Sequence, residues 1–212
     1  SDLLMSTNLD STQQLYTSTI NNSAKSLLDI INDILDFSKI EAGKLELEKM
    51  DFNLGELIAH ISILFGSSRK NDRVDFELLS DPKIPMWISG DRVRLLQIIN
   101  NLLSNAFKFT EQGKVEFKVD LVMSIGPSRA RLKFSVVDSG IGISDDLKKR
   151  LFTPYVQADK STTRKFGGTG LGLSITKGIL DEHKATIAVV ADSPNTCFEI
   201  RFPKAETMKN AT

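Results

Sequence analysis

Residues Asp91 to Thr110, DRVRLLQIINNLLSNAFKFT, constrain this chain more than any other stretch. At 3.6 residues per turn, Leu95, Leu96, Ile98, Ile99, Leu102, Leu103 and Ala106 form one broad apolar face. Beside it runs a second stripe of Gln97, Asn101, Asn105 and Lys108, whose spacing stacks them along one side of a helix. Polar side chains flanked by so much Leu and Ile are expensive to bury unless they bind something. Carboxamide oxygens can coordinate a hard cation such as Mg²⁺, and a lysine supplies charge for phosphate. A plain solvent-facing helix surface explains the stripe equally well if it stands alone.

Lys plus Arg balances Asp plus Glu at 27 each, so nothing draws the chain toward nucleic acid or an anionic membrane. The single cysteine, Cys197, excludes an internal disulfide and favours a reducing, cytoplasmic setting. No apolar run reaches membrane-spanning length, so the piece is expected to be soluble even if a longer parent is anchored in a membrane. The chain starts in mid-pattern without Met, which reads as a fragment of something longer.

Residues 1–6 resemble the end of a helix, and Asn8-Leu9-Asp10-Ser11 carries N-cap chemistry for the next one. That next helix is expected over Ser11 to Glu41, since no Pro or Gly occurs before Gly43. Ile20, Ala24, Leu27, Ile31 and Ile34 step along it as a heptad seam, widened by Leu28 and Leu35. Such a seam favours a helical-hairpin dimer over packing on the chain's own globular part. Gly43 marks the boundary, giving an arm over 1–43, a domain over 44–204 and a frayed tail over 205–212.

Within the domain, strands are expected at Lys44–Asn53, Val74–Leu79 and Trp87–Ile88, then a hairpin of Lys114–Ile125 and Arg129–Val137. Thr186–Ala191 and Cys197–Phe202 form a closing hairpin, with Cys197 in the core. Helices are expected at Leu54–Phe65, Asp145–Leu151 and Leu171–Glu182, and a long loop at Thr153–Thr169. His60, in mid-helix, reads as structural, and His183 at a helix end is explained by the helix dipole.

Two glycine motifs follow the key helix. DSGIGI, Asp138 to Ile143, comes directly after a strand, where glycines allow a sharp turn and a carboxylate can accept from the exocyclic amine of adenine. KFGGTGLGLSI, Lys165 to Ile175, leads glycines into a helix N-terminus, a natural cradle for phosphate. Either motif alone is weak, but the ordered set of Asn helix, Asp-Gly loop and phosphate loop is specific.

That set resembles the sensor histidine kinases of the hybrid type. NNLLSNAFKFT resembles their N box, DSGIGI the G1 box, LFTPYVQAD the F box and GGTGLGLSI the G2 box. INDILDFSKIEAGKLELE resembles the end of the second helix of their dimerisation and phosphotransfer domain. The resemblance implies an α+β, two-layer α/β sandwich, the Bergerat ATP-binding fold: a mixed sheet with three helices on one face, preceded by a long helix from a dimerisation hairpin. It places Asn101 and Asn105 on Mg²⁺ and the phosphates, Lys108 on phosphate, and Asp138 on adenine beside Gly140 and Gly142. Phe152 and Tyr155 fall at F-box positions, with Tyr in place of the usual Phe. Arg164 and Lys165 fall in the ATP lid, and Gly167, Gly168, Gly170, Leu171 and Gly172 in its hinge and cradle.

The implied partners are ATP, the phosphotransfer helix of a homodimer and the receiver domain of a response regulator. The sequence departs from the family in two places. A phosphoacceptor His with its acidic neighbour is absent, and the resemblance puts it about a dozen positions before Ser1. His183-Lys184 stands where the family usually has Gly-Gly, and Ser193-Pro194-Asn195-Thr196 where it has a glycine-rich turn. A superfamily ATPase or a degenerate kinase that binds nucleotide without transfer are the alternatives.

Overall fold

The structure, a computed structural model, describes residues 2–66, 73–124, 129–156, 169–190, 195–202 and 205–207. A short helix α1 (Asp2–Met5) precedes α2 (Ser11–Glu41). Asp10 caps α2 by accepting from the Gln13 backbone N–H at 2.8 Å, and the Gln13 side chain accepts from the Asp10 N–H at 3.1 Å. This reciprocal capping box explains why the helix starts where it does. The seam residues Ile20, Leu27, Leu28, Ile31, Ile34 and Leu35 remain exposed along most of α2. The last turns of α2 meet the domain, where Asp36 contacts Arg94 and Gln97 and Phe37 meets Tyr155, so the packing alternative holds for that part of the helix.

The domain consists of β1 (Met50–Asn53), α3 (Leu54–Gly66), β2 (Val74–Ser80), β3 (Trp87–Gly90) and α4 (Arg92–Phe109). There follow β4 (Gly113–Ser124), β5 (Arg129–Asp138), α5 (Asp145–Arg150), α6 (Gly172–Glu182), β6 (Thr186–Val189), β7 (Thr196–Arg201) and β8 (Ala205–Thr207). The sheet runs β1-β3-β8-β5-β4-β2, with β7 also on β5 and β6 beyond it. Only the β2–β4 pair is parallel, so the sheet is mixed.

Helices α3, α4 and α6 cover one face. Val115, Phe117 and Val119 of β4, Leu132, Phe134 and Val136 of β5, and Phe198 and Ile200 of β7 point into it. They meet Leu57 and Ile61 of α3, Ile98, Leu102 and Leu103 of α4, and Ile179 and Leu180 of α6. The alternate positions face outward as a charged ladder: Lys114 bridges Glu77 and Glu116, Lys118 joins Glu116, and Lys133 reaches Asp120 and Glu199. The period of two therefore puts the helices' apolar stripes and the strands' apolar face in one layer.

Three expectations change. The strand expected over Lys44–Asn53 is regular only from Met50, because its partner β3 ends at Gly90, opposite Met50, where Asp91 caps α4. Leu45 is nonetheless buried, and the Glu48 N–H donates to Asp91 Oδ2 at 3.0 Å. The tail is not wholly frayed: Ala205–Thr207 pairs with β3 and β5 and fills the gap between them, which satisfies backbone groups of both. Cys197 lies one residue out of register with the core positions Phe198 and Ile200 and is half-buried on the charged face. Among the described residues, no helix is long and apolar enough to cross a membrane.

Candidate nucleotide site

The side chain of Asp91 accepts from the Arg94 N–H at 2.9 Å and starts α4. From there the helical period carries Asn101 and Asn105 to the α6 side of the helix, both half-buried. Asn101 Nδ2 donates to Thr176 Oγ1 of α6 at 2.8 Å, and Asn105 Nδ2 approaches Asn101 Oδ1 at 3.4 Å. Gly172 opens α6 against the same amide: a Cβ there would stand 2.3 Å from Asn101 Oδ1. Only glycine allows that approach, so Gly172 packs directly on the Asn101 amide.

Lys108, one turn on, carries its Nζ 5.2 Å from the centre of the Phe109 ring, and burial lowers its pKa. Gln97, the first member of the predicted polar stripe, points elsewhere. Its Nε2 donates to Asp36 Oδ2 of α2 at 2.8 Å, and Arg94 Nη1 meets the same oxygen at 2.7 Å. Gln97 thus belongs to the contact between arm and domain.

At the end of β5, Asp138 is buried. Its Oδ1 accepts from the Gly140 N–H at 3.0 Å, and its carboxylate also accepts from the Thr196 hydroxyl. Burial pushes its pKa up, and those two hydrogen bonds oppose the rise. Gly140 presses on α4, where a Cβ would stand 2.3 Å from the Phe109 carbonyl oxygen, which also accepts from the Ile141 N–H at 3.3 Å. The DSGIGI loop is thereby fastened to the C-terminal end of the Asn helix. Gly142 holds a positive φ of 75°, with open space around it.

The F-box residues separate. Phe152 packs against the core, whereas the Tyr155 ring is exposed and sits edge-on to Phe37 of α2 at 6.0 Å. Tyr155 N–H donates to the Gly170 carbonyl at 3.0 Å, with φ of 61° at Tyr155 and 70° at Gly170. The Leu171 side chain is buried in the core, and its N–H donates to Thr169 Oγ1 at 3.2 Å. Any contact of Leu171 with a ligand is therefore through backbone. Arg164, Lys165, Gly167 and Gly168 lie outside the described residues.

Residues 90–206 match the family described as histidine kinase-, DNA gyrase B- and HSP90-like ATPase, and residues 1–43 match the His kinase A phospho-acceptor domain. The chain belongs to the histidine kinases. Hybrid signal transduction histidine kinase A of Dictyostelium discoideum is 45% identical over 187 residues, 86% of this chain and 9% of that protein. Two solved kinases share the fold across 97% of this chain. Full-length ShkA in complex with AMPPNP has a TM-score of 0.75 at 28% identity over 42% of its chain. Histidine kinase ThkA in complex with the response regulator TrrA has a TM-score of 0.62 at 26% identity over 55% of its chain. The chain spans less than a third of the length of the curated relatives it matches.

In this kinase segment one contact of the site does not follow from motif positions. Thr196 stands opposite Asp138 in the β5–β7 register, and its hydroxyl reaches the carboxylate. The sequence reading leaves Thr196 in the turn before the strand, whereas it opens β7, and strand register is what pairs it with Asp138. Lys184, where the family usually has glycine, adopts a φ of 54° as the chain leaves α6. The backbone keeps the glycine conformation although the side chain has changed. Neither histidine lies within residues 1–43: His60 is exposed on α3, and the His183 ring Nδ1 lies 2.8 Å from the Ile179 carbonyl at the end of α6.

Proposed function

We propose that this chain binds Mg-ATP and delivers its γ-phosphate to a histidine that lies outside residues 1–212. The observation that carries the reading is the meeting of Asn101, Asn105 and the N-terminus of α6 at one place, with the buried Asp138 fastened to the other end of α4. Asp138 would accept from the adenine amine, with Thr196 orienting the carboxylate. The Gly140–Gly142 turn would admit the flat base. Asn105, Asn101 and Lys108 would face the triphosphate.

The residues fit a magnesium ion. Carboxamide oxygens suit a hard cation, and among the described residues no group of three His, Cys, Asp or Glu could hold a metal without the nucleotide. Bound Mg²⁺ supplies charge neutralisation on the phosphate oxygens. The chain's own residues contribute placement and charge: Lys108, and by resemblance Arg164 and Lys165, balance the phosphates, and Asp138 fixes the base. The exposed seam of α2 would pair with the helices of a homodimer, and the receiver domain of a response regulator would accept the phosphoryl group next. We place this segment in the cytoplasm, where ATP and a reduced Cys197 coexist.

Asp138→Asn tests the reading. An amide has one acceptor oxygen and must compete with a donor edge, so ATP affinity should fall by about 1–3 kcal/mol in calorimetry. Unchanged affinity in a folded variant would remove adenine from this pocket.

A further inference from the structure

Thr176 is a hydroxyl where the helix period calls for a hydrocarbon. It lies on the buried side of α6 beside Ile175, Ile179 and Leu180, and only 1% of it is exposed. A polar group at such a position needs a partner to offset its desolvation. Its partner is Asn101 Nδ2, at 2.8 Å. Gly172, one turn earlier on the same face of α6, leaves just enough room for the rest of that amide. The Asn101 carboxamide is therefore gripped by two positions of α6 spaced four apart.

The geometry points to Thr176 as a positioning residue for the metal site, acting through Asn101 to keep the Asn105 oxygen free. A threonine inside a helix commonly gives its hydroxyl proton to a carbonyl one turn back, which leaves its lone pairs to accept. Accepting from Asn101 Nδ2 turns Asn101 Oδ1 toward Asn105 Nδ2, 3.4 Å away. With its NH₂ turned toward Asn101 in this way, Asn105 is left with its Oδ1 to present to the ligand. The opposite polarity would aim Asn101 Nδ2 at Asn105 and draw the Asn105 oxygen into a hydrogen bond between the two asparagines. Metal affinity would then suffer although both asparagines remain.

The inference rests on the reading of Asn105 as a metal ligand, and the test separates the two. Mn²⁺, a paramagnetic substitute for Mg²⁺, is titrated by electron paramagnetic resonance against the chain with AMPPNP. Wild type, Thr176→Val and Thr176→Ser are compared, with AMPPNP affinity in EDTA and thermal midpoints measured in parallel. Valine keeps the branched shape and removes the hydroxyl; serine keeps the hydroxyl. Thr176→Val should weaken Mn²⁺ about tenfold, the lower end for losing an outer hydrogen-bond partner of a metal ligand. Metal-free AMPPNP binding should change far less, and Thr176→Ser should recover most of the Mn²⁺ affinity. Equal Mn²⁺ affinity in wild type and folded Thr176→Val would overturn the role of Thr176 alone. Loss in Thr176→Val that serine does not restore would mark a packing effect and overturn it equally. Absence of nucleotide-dependent Mn²⁺ binding in the wild type would overturn the metal site and this inference together.

Discussion

Asp36→Ala should release the end of the arm from the nucleotide domain. One carboxylate oxygen of Asp36 takes Arg94 Nη1 at 2.7 Å and Gln97 Nε2 at 2.8 Å, and the Asp36 and Arg94 side chains are 13% and 18% exposed. A hydrogen bond to a charged group contributes about 1.5–3 kcal/mol and a neutral donor adds less, and two bonds sharing one oxygen do not sum. The expected loss is therefore about 2–3 kcal/mol. A double-mutant cycle of Asp36→Ala with Arg94→Ala, read by urea denaturation and by hydrogen exchange along Asp33 to Glu41, isolates the pair. Coupling below about 0.5 kcal/mol would place the pair among exposed, ineffective ion pairs and refute the reasoning.

The pH dependence supplies a second check on the same contact. Burial pushes the Asp36 pKa up, but its hydrogen bonds to Arg94 and Gln97 and the nearby positive charges more than offset this, so the pKa is lowered. A folded pKa below the unfolded one gives stability that is present above about pH 4 and lost as pH falls through the folded value. Wild type and Asp36→Ala should therefore converge in acid.

Other outcomes follow from the site. Asn105→Ala should keep the fold, since the side chain is only half-buried, and should abolish the Mg²⁺ dependence of ATP binding; calorimetry with and without EDTA reads both. ATP affinity should decline in acid at a higher pH than an ordinary aspartate would give, because burial raises the Asp138 pKa. An alkaline decline should begin below the usual lysine range, because burial lowers that of Lys108; a pH series of binding isotherms checks both limbs. Lys184→Gly should raise stability by about 1 kcal/mol in urea denaturation, by relieving a side chain held at φ 54°.

Much of this architecture was legible because it is written in periods and caps. Asp10 with Gln13 sets the start of α2, and the spacing of Leu95, Ile98, Leu102 and Ala106 sets the buried face of α4. Asn101 and Asn105 were placed together by the same spacing. Period tells which residues share a side of a helix, however, and not what that side meets. Gln97 shares the stripe with Asn101, but Asp36 near the end of α2 reaches the first turns of α4, so Gln97 meets Asp36. Thr196 depends on pairing across strands far apart in sequence, and Thr176 on the approach of two helices permitted by Gly172. Tyr155 fits the F box by position, yet its ring faces Phe37 of the arm. Those contacts are tertiary, and no local pattern encodes them.

In the proposed function, this chain places ATP for transfer to a histidine outside residues 1–212. Transfer requires an acceptor imidazole in line with the γ-phosphate and a base for its proton, and each contributes several kcal/mol. His60 stands exposed on α3, and His183 is held at the end of α6. The direct measurement incubates the chain with γ-labelled ATP, alone and with a separately supplied phospho-acceptor helix from the parent kinase, and follows acid-labile label. Nucleotide should bind without labelling of the chain, and label should appear on the supplied helix. Label on His60 or His183, or none on the helix while ATP is bound, would contradict the proposed function.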